Sequence, residues 1–489
     1  MARVVILGAG IAGHTAALFL RRRLPRTHQV TVVSPKDIYN WIPSNIWVGV
    51  GAMKSSEVVV PLRPVYARMN IEFIQGKAVE IYPEGSAADA PAGPYVAVEL
   101  TAGEQKGTRQ RLAYDYLINA TGPKLNFAAT AGLGPEAFTQ SVCTFEHADK
   151  ASAAFLACIA EMKKGVKKTL VVGTGHGMCT CEGAAFEYVL NVEFELRRHG
   201  VRNMATLVFI TNEAQLGDFG VDGMYFRRGG YVVHSRTFAE SLFVERGIKW
   251  IAGAHVQKIE ADKIFCETLD GEIHETAYDF AMLLPPFTGT GMKAFNRAGD
   301  DITSDLFVPS GFMKVDANYT KKEYRDWKAA DWPRTYQNPK YSNMFAIGIA
   351  FAPPHAISMP RTSVRGTPIS PAPPRTGMPS AIMGRVVANT IVDLILGQKG
   401  HTAKTASMAE LGAACVASAG ANFWSGTAAS MTMFPIVPDF EKFPEYGRDL
   451  KFTFGDIGSA GHWIKKILHY MFIYKAKARP LWCSWHPPS

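Results

Sequence analysis

Three of the seven cysteines in this 489-residue chain stand where sulfur could do redox chemistry. Cys143 follows the segment Ala120-Thr121-Gly122, Cys181 comes just after a glycine-rich turn, and Cys415 opens a C-terminal stretch rich in aromatics and methionine. A thiolate is a nucleophile, and two thiols can store an electron pair as a disulfide. An odd count with no short-range framework argues against a structural disulfide scaffold and for specific reactive or free thiols. Such thiols need a partner that exchanges electrons, and the start of the chain offers a site for one.

Arg3 to Leu7 reads as a short buried strand, Gly8-Ala9-Gly10-Ile11-Ala12-Gly13 follows at once, and His14 to Arg23 reads as a helix. In such a dinucleotide-binding turn Gly8 permits the tight bend, Gly10 the approach of a pyrophosphate, and Gly13 the packing of helix on strand. Free N–H groups at the helix start suit phosphate. The second strand, Gln29 to Val33, ends in Ser34, where an acid usually holds the ribose hydroxyls. A serine can still bond a hydroxyl; it equally well starts the turn before Pro35. Leu117 to Gly122, ending in Thr121 and Gly122, and Asn343 to Gly348 are further strand-to-turn elements of the kind that close over FAD, although Ile349 stands where an Asp usually follows. Three such elements in this order favour FAD as cofactor.

A second unit begins near Lys167. Its strand runs into glycines at 173, 175 and 177, then Met178-Cys179-Thr180-Cys181-Glu182-Gly183 and a helix reaching about Gly200. The spacing is not that of a nicotinamide-binding fingerprint; the phosphate cradle is rebuilt around thiols. Cys181 falls at a helix start, which favours thiolate. Cys179 stands beside it, and this pair could also be small buried residues. The expected fold is α/β: two tandem Rossmann-like dinucleotide-binding domains plus a C-terminal amphipathic membrane-binding region. Residues 1–165 and 286–404 form the FAD-binding domain, 166–285 the second Rossmann-like domain, and 405–489 the terminal region. Residues 351–379, dense in proline, are expected to form a long irregular loop.

Hydrophobic residues make up 47% of the chain and charged ones 19%, with a net charge of +9. That balance suits an anionic membrane surface. Nothing in the sequence resembles a zinc finger, a basic helix or an RNA-binding motif, so neither nucleic acid nor a metal is expected. No apolar run of spanning length and no signal-peptide pattern is found. His462 to Lys475 reads as a helix with Trp463, Ile464, Ile467, Leu468, Met471 and Phe472 at three- and four-residue spacing and lysines flanking them. Such a helix would lie in the bilayer interface as a peripheral, monotopic anchor, or pack as a terminal core helix. A homo-oligomer is left open.

The chain resembles the sulfide:quinone oxidoreductases of the two-dinucleotide-binding flavoproteins. The resemblance rests on Gly8 to Gly13, Ala120 to Leu125, Ser141-Val142-Cys143-Thr144-Phe145-Glu146-His147-Ala148, Cys181 followed by Ala185 to Tyr188, Leu216 to Val221, Arg375 to Met378, and Cys415 among small neighbours. It implies that Cys181 and Cys415 are the redox pair that receives sulfide, with Cys143 a third thiol that in some members links covalently to the flavin. It further implies Thr376 and Gly377 as flavin contacts and Lys465 as a lysine near flavin and quinone. Leu468 stands where some members clamp the quinone with an aromatic. Cys179 leaves the choice within its pair with Cys181 open. Glu187, His147 and His176 are acid/base candidates; Glu187 reads at least as well as a solvated or capping residue, and the two histidines as structural ones. The implied activity is oxidation of sulfide to zero-valent sulfur or polysulfide, with electrons passing through a disulfide and FAD to membrane quinone. Competing readings are a type II NADH:quinone dehydrogenase, which needs an intact second fingerprint, the flavin subunit of a flavocytochrome c sulfide dehydrogenase, and a non-catalytic flavin-binding membrane adaptor.

Overall fold

The computed structural model describes residues 1–87, 93–180, 182–397, 404–422 and 424–482. Cys181 and Phe423 lie outside the described residues.

The first sheet is built on strand β1 (Arg3–Leu7), which leads through the glycine turn into helix α1 (Ile11–Arg23). β1 is flanked by β2 (Gln29–Ser34), which pairs in turn with β3 (Glu72–Tyr82). On its other side lies β4 (Tyr116–Asn119). All run parallel, with Val5 opposite both Thr31 and Leu117. Val4 to Leu7 are almost wholly buried, as expected of a parallel strand covered on both faces. β3 also carries an antiparallel extension, Tyr95–Leu100 and Arg109–Ala113.

Helix α2 (Phe145–Lys163) leads to the second sheet; Thr144 caps it by accepting from His147 N. β5 (Lys168–Thr174) runs through the second glycine turn into α3 (Glu182–Arg198). It lies between β6 (Ala205–Ile210), which is followed outward by β7 (Ile248–Ile251), and β8 (Phe280–Leu284), all parallel. The chain then returns to the first sheet: β9 (Met344–Ala346) adds to β4, with Phe345 opposite Ile118. α4 (Gly377–Leu396) packs along α1, and Gly384 permits this because a Cβ there would run into the Ala12 carbonyl. By length and apolarity α4 is the one described helix that could cross a membrane, yet most of its apolar window is buried within the protein.

The terminal region adds an antiparallel sheet, β10 (Ala413–Ala419), β11 (Thr427–Met433) and β12 (Phe454–Gly458). The hairpin Tyr225–Arg228 and Tyr231–His234 from the second unit extends it. Helix α5 (Ser459–Ala476) follows β12. It packs against β10 and β11.

Candidate active site

Two helix N-termini converge where the first fingerprint predicts a dinucleotide. Gly8 has φ +101°, and a Cβ there would collide with the Ala120 carbonyl; one on Gly13 would collide with the Gly8 carbonyl. Gly10, by contrast, faces open space. Neither α1 nor α4 has a side-chain cap or an acid in its first turn, so their leading N–H groups are available to an anion. A Cβ on Gly377 would lie 3.1 Å from Ile11, and Gly348, at φ +65°, sits between Ala12 and Ser380. Gly10, Gly348, Thr376 and Gly377 thus come together around the space that a dinucleotide's phosphates need, and the fit to FAD is good. Gly122, at φ +69°, is open as well. Thr121 Oγ1 donates to Asn119 at 2.8 Å. Ser34 ends β2 and donates its hydroxyl proton to the Lys36 carbonyl at 2.9 Å, so it starts the turn while keeping lone pairs free to accept from a ribose hydroxyl. Sequence reading gave no role to the Arg375 side chain. It is buried, spans the carbonyls of Ile349 and Phe351 at 2.8 Å each, and lies 4.4 Å over the Phe312 ring. It fixes the segment whose usual Asp is absent.

The second glycine turn is built the other way. A Cβ on Gly175 would meet Leu133 at 2.5 Å, and one on Gly177 would meet the Pro368 carbonyl at 2.6 Å and His255 at 3.0 Å. Ser370 N donates to the Gly177 carbonyl and Ala372 N to the Cys179 carbonyl, each at 2.8 Å. The proline-dense loop therefore fills the cradle that a nicotinamide dinucleotide would require.

Around this turn sit the thiols. Cys415 Sγ, on β10, lies 3.7 Å from where a Gly183 Cβ would project. Position 181 immediately precedes α3, whose second residue is Gly183. Burial pushes the Cys415 thiol up to about 11; Glu187 adds to this and Lys465 opposes it. Cys143 sits just before α2, its thiol also raised by burial to about 11. Cys179 is fully buried and donates to the Leu284 carbonyl at 3.1 Å; burial above all holds it protonated, far above the usual thiol range. His147 has its Nδ1 buried without a partner, and His176 stands edge-on to His255 at 4.6 Å.

Glu187 is neither solvated nor a helix cap. It is buried on α3 and accepts from Lys465 Nζ and from Ser418, the backbone N–H of the latter at 3.1 Å. Lys465 also donates to the Val416 carbonyl at 3.1 Å and stands 5.5 Å over the Trp47 ring. Trp47 Nε1 in turn donates to Ser418 Oγ at 2.9 Å. The network ties α5 to the strand that carries Cys415.

Helix α5 is inside out. His462, Lys465, His469 and Lys475 are buried, whereas Ile464, Ile467, Tyr470 and Tyr474 are 51%, 54%, 61% and 39% exposed. The expected stripe is partly corrected. Phe472 turns inward to stack on Trp41 at 4.3 Å, and two lysines expected to flank the apolar face are buried on the opposite one. Ile42, next in sequence to Trp41, is 49% exposed.

Residues 2–320 match the pyridine nucleotide-disulphide oxidoreductase family. Over 480 residues the chain is 30% identical to the sulfide-quinone reductase of Aquifex aeolicus, covering 97% of this chain and 91% of that one. The X-ray structure of the sulfide:quinone oxidoreductase from that bacterium matches with a TM-score of 0.73 at 28% identity, covering 98% of this chain and 92% of that one. NDH2 from Plasmodium falciparum matches with a TM-score of 0.51 at 16% identity, covering 71% of this chain and 64% of that one, a likeness of fold. An external alternative NAD(P)H-ubiquinone oxidoreductase of Arabidopsis thaliana is 29% identical over 127 residues, 25% of this chain and 20% of that one. With its first fingerprint open, its second filled and its relative aligned nearly end to end, the chain belongs to the pyridine nucleotide-disulphide oxidoreductases and, among them, to the sulfide-quinone reductase family.

Proposed function

We infer that this protein oxidises sulfide to zero-valent sulfur or polysulfide and passes the electrons to quinone. The observation that carries the reading is the filled second cradle beside a buried thiol: Gly177 is covered by the loop at Pro368 while Cys415 lies against Gly183. Bound FAD would supply a two-electron acceptor that can hand its electrons on. It would be held by Gly8, Gly10, Gly13, Thr121, Gly122, Gly348, Thr376 and Gly377, with Ser34 toward the ribose.

Cys181 and Cys415 are proposed to form the electrophilic disulfide. Hydrosulfide attack on it leaves a persulfide on one cysteine and a thiolate on the other. Cys143 is proposed as the third thiol, beside the flavin. The Lys465–Glu187 pair is proposed to face the quinone side, supported by its place between α5 and the Cys415 strand. The outward apolar face of α5 is proposed to rest in the bilayer interface, with polar groups turned to the protein because the usual solvent side is lipid. The domain division at 165, 285 and 404 is kept as our reading, supported by the separate parallel sheets.

The test is the flavin spectrum under anaerobic conditions. Sulfide should bleach it, a quinone should restore it, and NADH should do neither. Bleaching by NADH but not sulfide would assign the chain a dehydrogenase activity instead.

A further inference from the structure

Three buried carboxylates lie behind the thiols and have no part in the chemistry above. Glu182 opens α3, and Glu213 and Asp218 lie in the segment after β6; they are 1%, 2% and 5% exposed. Glu213 accepts from Phe219 N at 2.5 Å and from Thr211 Oγ1 at 3.0 Å, and Asp218 accepts from Gly220 N at 2.9 Å and from Ser358 Oγ. Glu182 differs: neither of its oxygens meets a donor. Asn212 lies beside it. Both amide hydrogens of Asn212 are committed, to the carbonyls of Gly177 and Cys179 at 3.2 Å each. That fixes the amide's orientation and leaves Asn212 Oδ1 without a donor too. A buried carboxylate that no donor reaches is costly as an anion and far less so as the neutral acid, so Glu182 is best satisfied in its protonated form.

Electrostatics agrees. Burial is the largest cause at all three, with neighbouring carboxylates adding to it. Glu182 is pushed well above the carboxylate range, Glu213 to about 8 and Asp218 to about 6. The other ionisable groups facing the cluster are Asp222, Tyr324, Cys179 and Arg448. Arg448 directs its guanidinium to the carbonyls of Val221, Gly223, Pro435 and Ile436, not to a carboxylate. At the surface, Asp218, with Asp222, Gln215, Met359 and Arg361, lines a pocket of about 200 Å³. At the inner end, Glu182 immediately precedes the glycine against which Cys415 Sγ lies.

Resting on the function proposed above, we propose that Glu182, Glu213 and Asp218 form a proton path from the sulfur-oxidising thiols to this pocket, with Glu182 as the buried acid at its inner end. Hydrosulfide adding to a cysteine disulfide forms one S–S bond and breaks another; the leaving sulfur departs as thiolate and the new persulfide keeps the hydrogen. Ionisation of that persulfide releases one proton and no electrons. Glu182 takes this proton on one oxygen as its own leaves from the other to Glu213; Glu213 passes one to Asp218, and Asp218 releases one to water in the pocket. One proton enters the path and one leaves it.

The experiment separates the half-reactions by stopped flow in Glu182→Gln and Asp218→Asn. Sulfide-driven bleaching should slow by about 100-fold, in the range of lost general acid–base catalysis, with an altered pH profile, while reoxidation by quinone keeps the parent rate. Infrared spectra of the resting parent near neutral pH should show protonated carboxyl absorption that shifts in D2O and loses one component in Glu182→Gln. Parental bleaching rates and pH profile in both variants would overturn the path, as would persistence of the full band in Glu182→Gln. If Glu182→Gln does not fold, Asp218→Asn at the solvent edge carries the kinetic test, and absence of any protonated carboxyl band in the parent overturns the proposal. A parent flavin that sulfide fails to bleach would instead refute the function itself, with the band still deciding the state of Glu182.

Discussion

Ser370 N donates to the carbonyl of Gly177 at 2.8 Å, and so stitches the proline-dense loop into the turn where a nicotinamide cofactor would otherwise lay its phosphates. His255 closes the other side of that glycine by accepting from Gly177 N at 3.0 Å. A backbone N–H that already has a partner cannot receive a phosphate oxygen.

The first prediction follows from this occlusion. NADH should leave the flavin spectrum unchanged even at about 1 mM, the upper end of ordinary KM values. Anaerobic titration checks it, and rapid bleaching would show that the loop is not a lasting plug.

Cys181→Ser and Cys415→Ser are each expected to abolish sulfide-dependent quinone reduction while keeping FAD, since the nucleotide contacts are mostly backbone. Cys179→Ser should stay active and lose only about 1 kcal/mol, because a serine hydroxyl can still donate to the Leu284 carbonyl. Turnover and flavin content measured together decide this. A dead Cys179→Ser with an active Cys181→Ser would move the pair.

Removing one member of the Lys465–Glu187 pair strands the other charge in a buried site. Lys465→Met should cost about 3–5 kcal/mol in a denaturant titration. The double variant Glu187→Gln with Lys465→Met should recover most of that loss and yet remain slow with quinone. Recovery of both stability and turnover would mean that the pair only holds α5 in place.

On the outer face of α5, Ile464→Glu with Ile467→Glu should leave the fold intact, because both side chains are about half exposed. Membrane affinity should fall sharply, since each apolar side chain fully removed from water contributes roughly 1.5–3 kcal/mol. Co-sedimentation with anionic liposomes reads this out; binding like that of the parent would remove the membrane from the account of this face.

The buried acids also predict a dependence of stability on pH. Glu213 is raised to about 8, against about 4.3 for an unfolded glutamate. Between those values the folded chain binds more protons than the unfolded one, so stability falls as pH rises through this window. Glu213→Gln should flatten that slope in melting curves. An unchanged slope would mean that Glu213 titrates normally.

Much of the frame was legible in the sequence because it depends on short-range rules. The spacing of Gly8, Gly10 and Gly13 after an apolar strand specifies a turn by sterics alone, and the displaced glycines at 173, 175 and 177 announced a cradle of another kind. The cysteines stood out by residue type. What filled that cradle could not be read locally, for Gly177 and Pro368 are remote in sequence and meet only once the chain has folded. The same holds for Cys415 against Gly183 and for Lys465 on Glu187. The periodicity of α5 was visible, but not its orientation: a hydrophobic stripe tells that two faces differ, and only packing against β10 and β11 decided that the polar one, with Lys465 and His469, turns inward. Least legible of all was Glu182. Its protonation depends on how many donors reach it, and that count exists only when Asn212, Gly177 and Cys179 have been brought together in three dimensions.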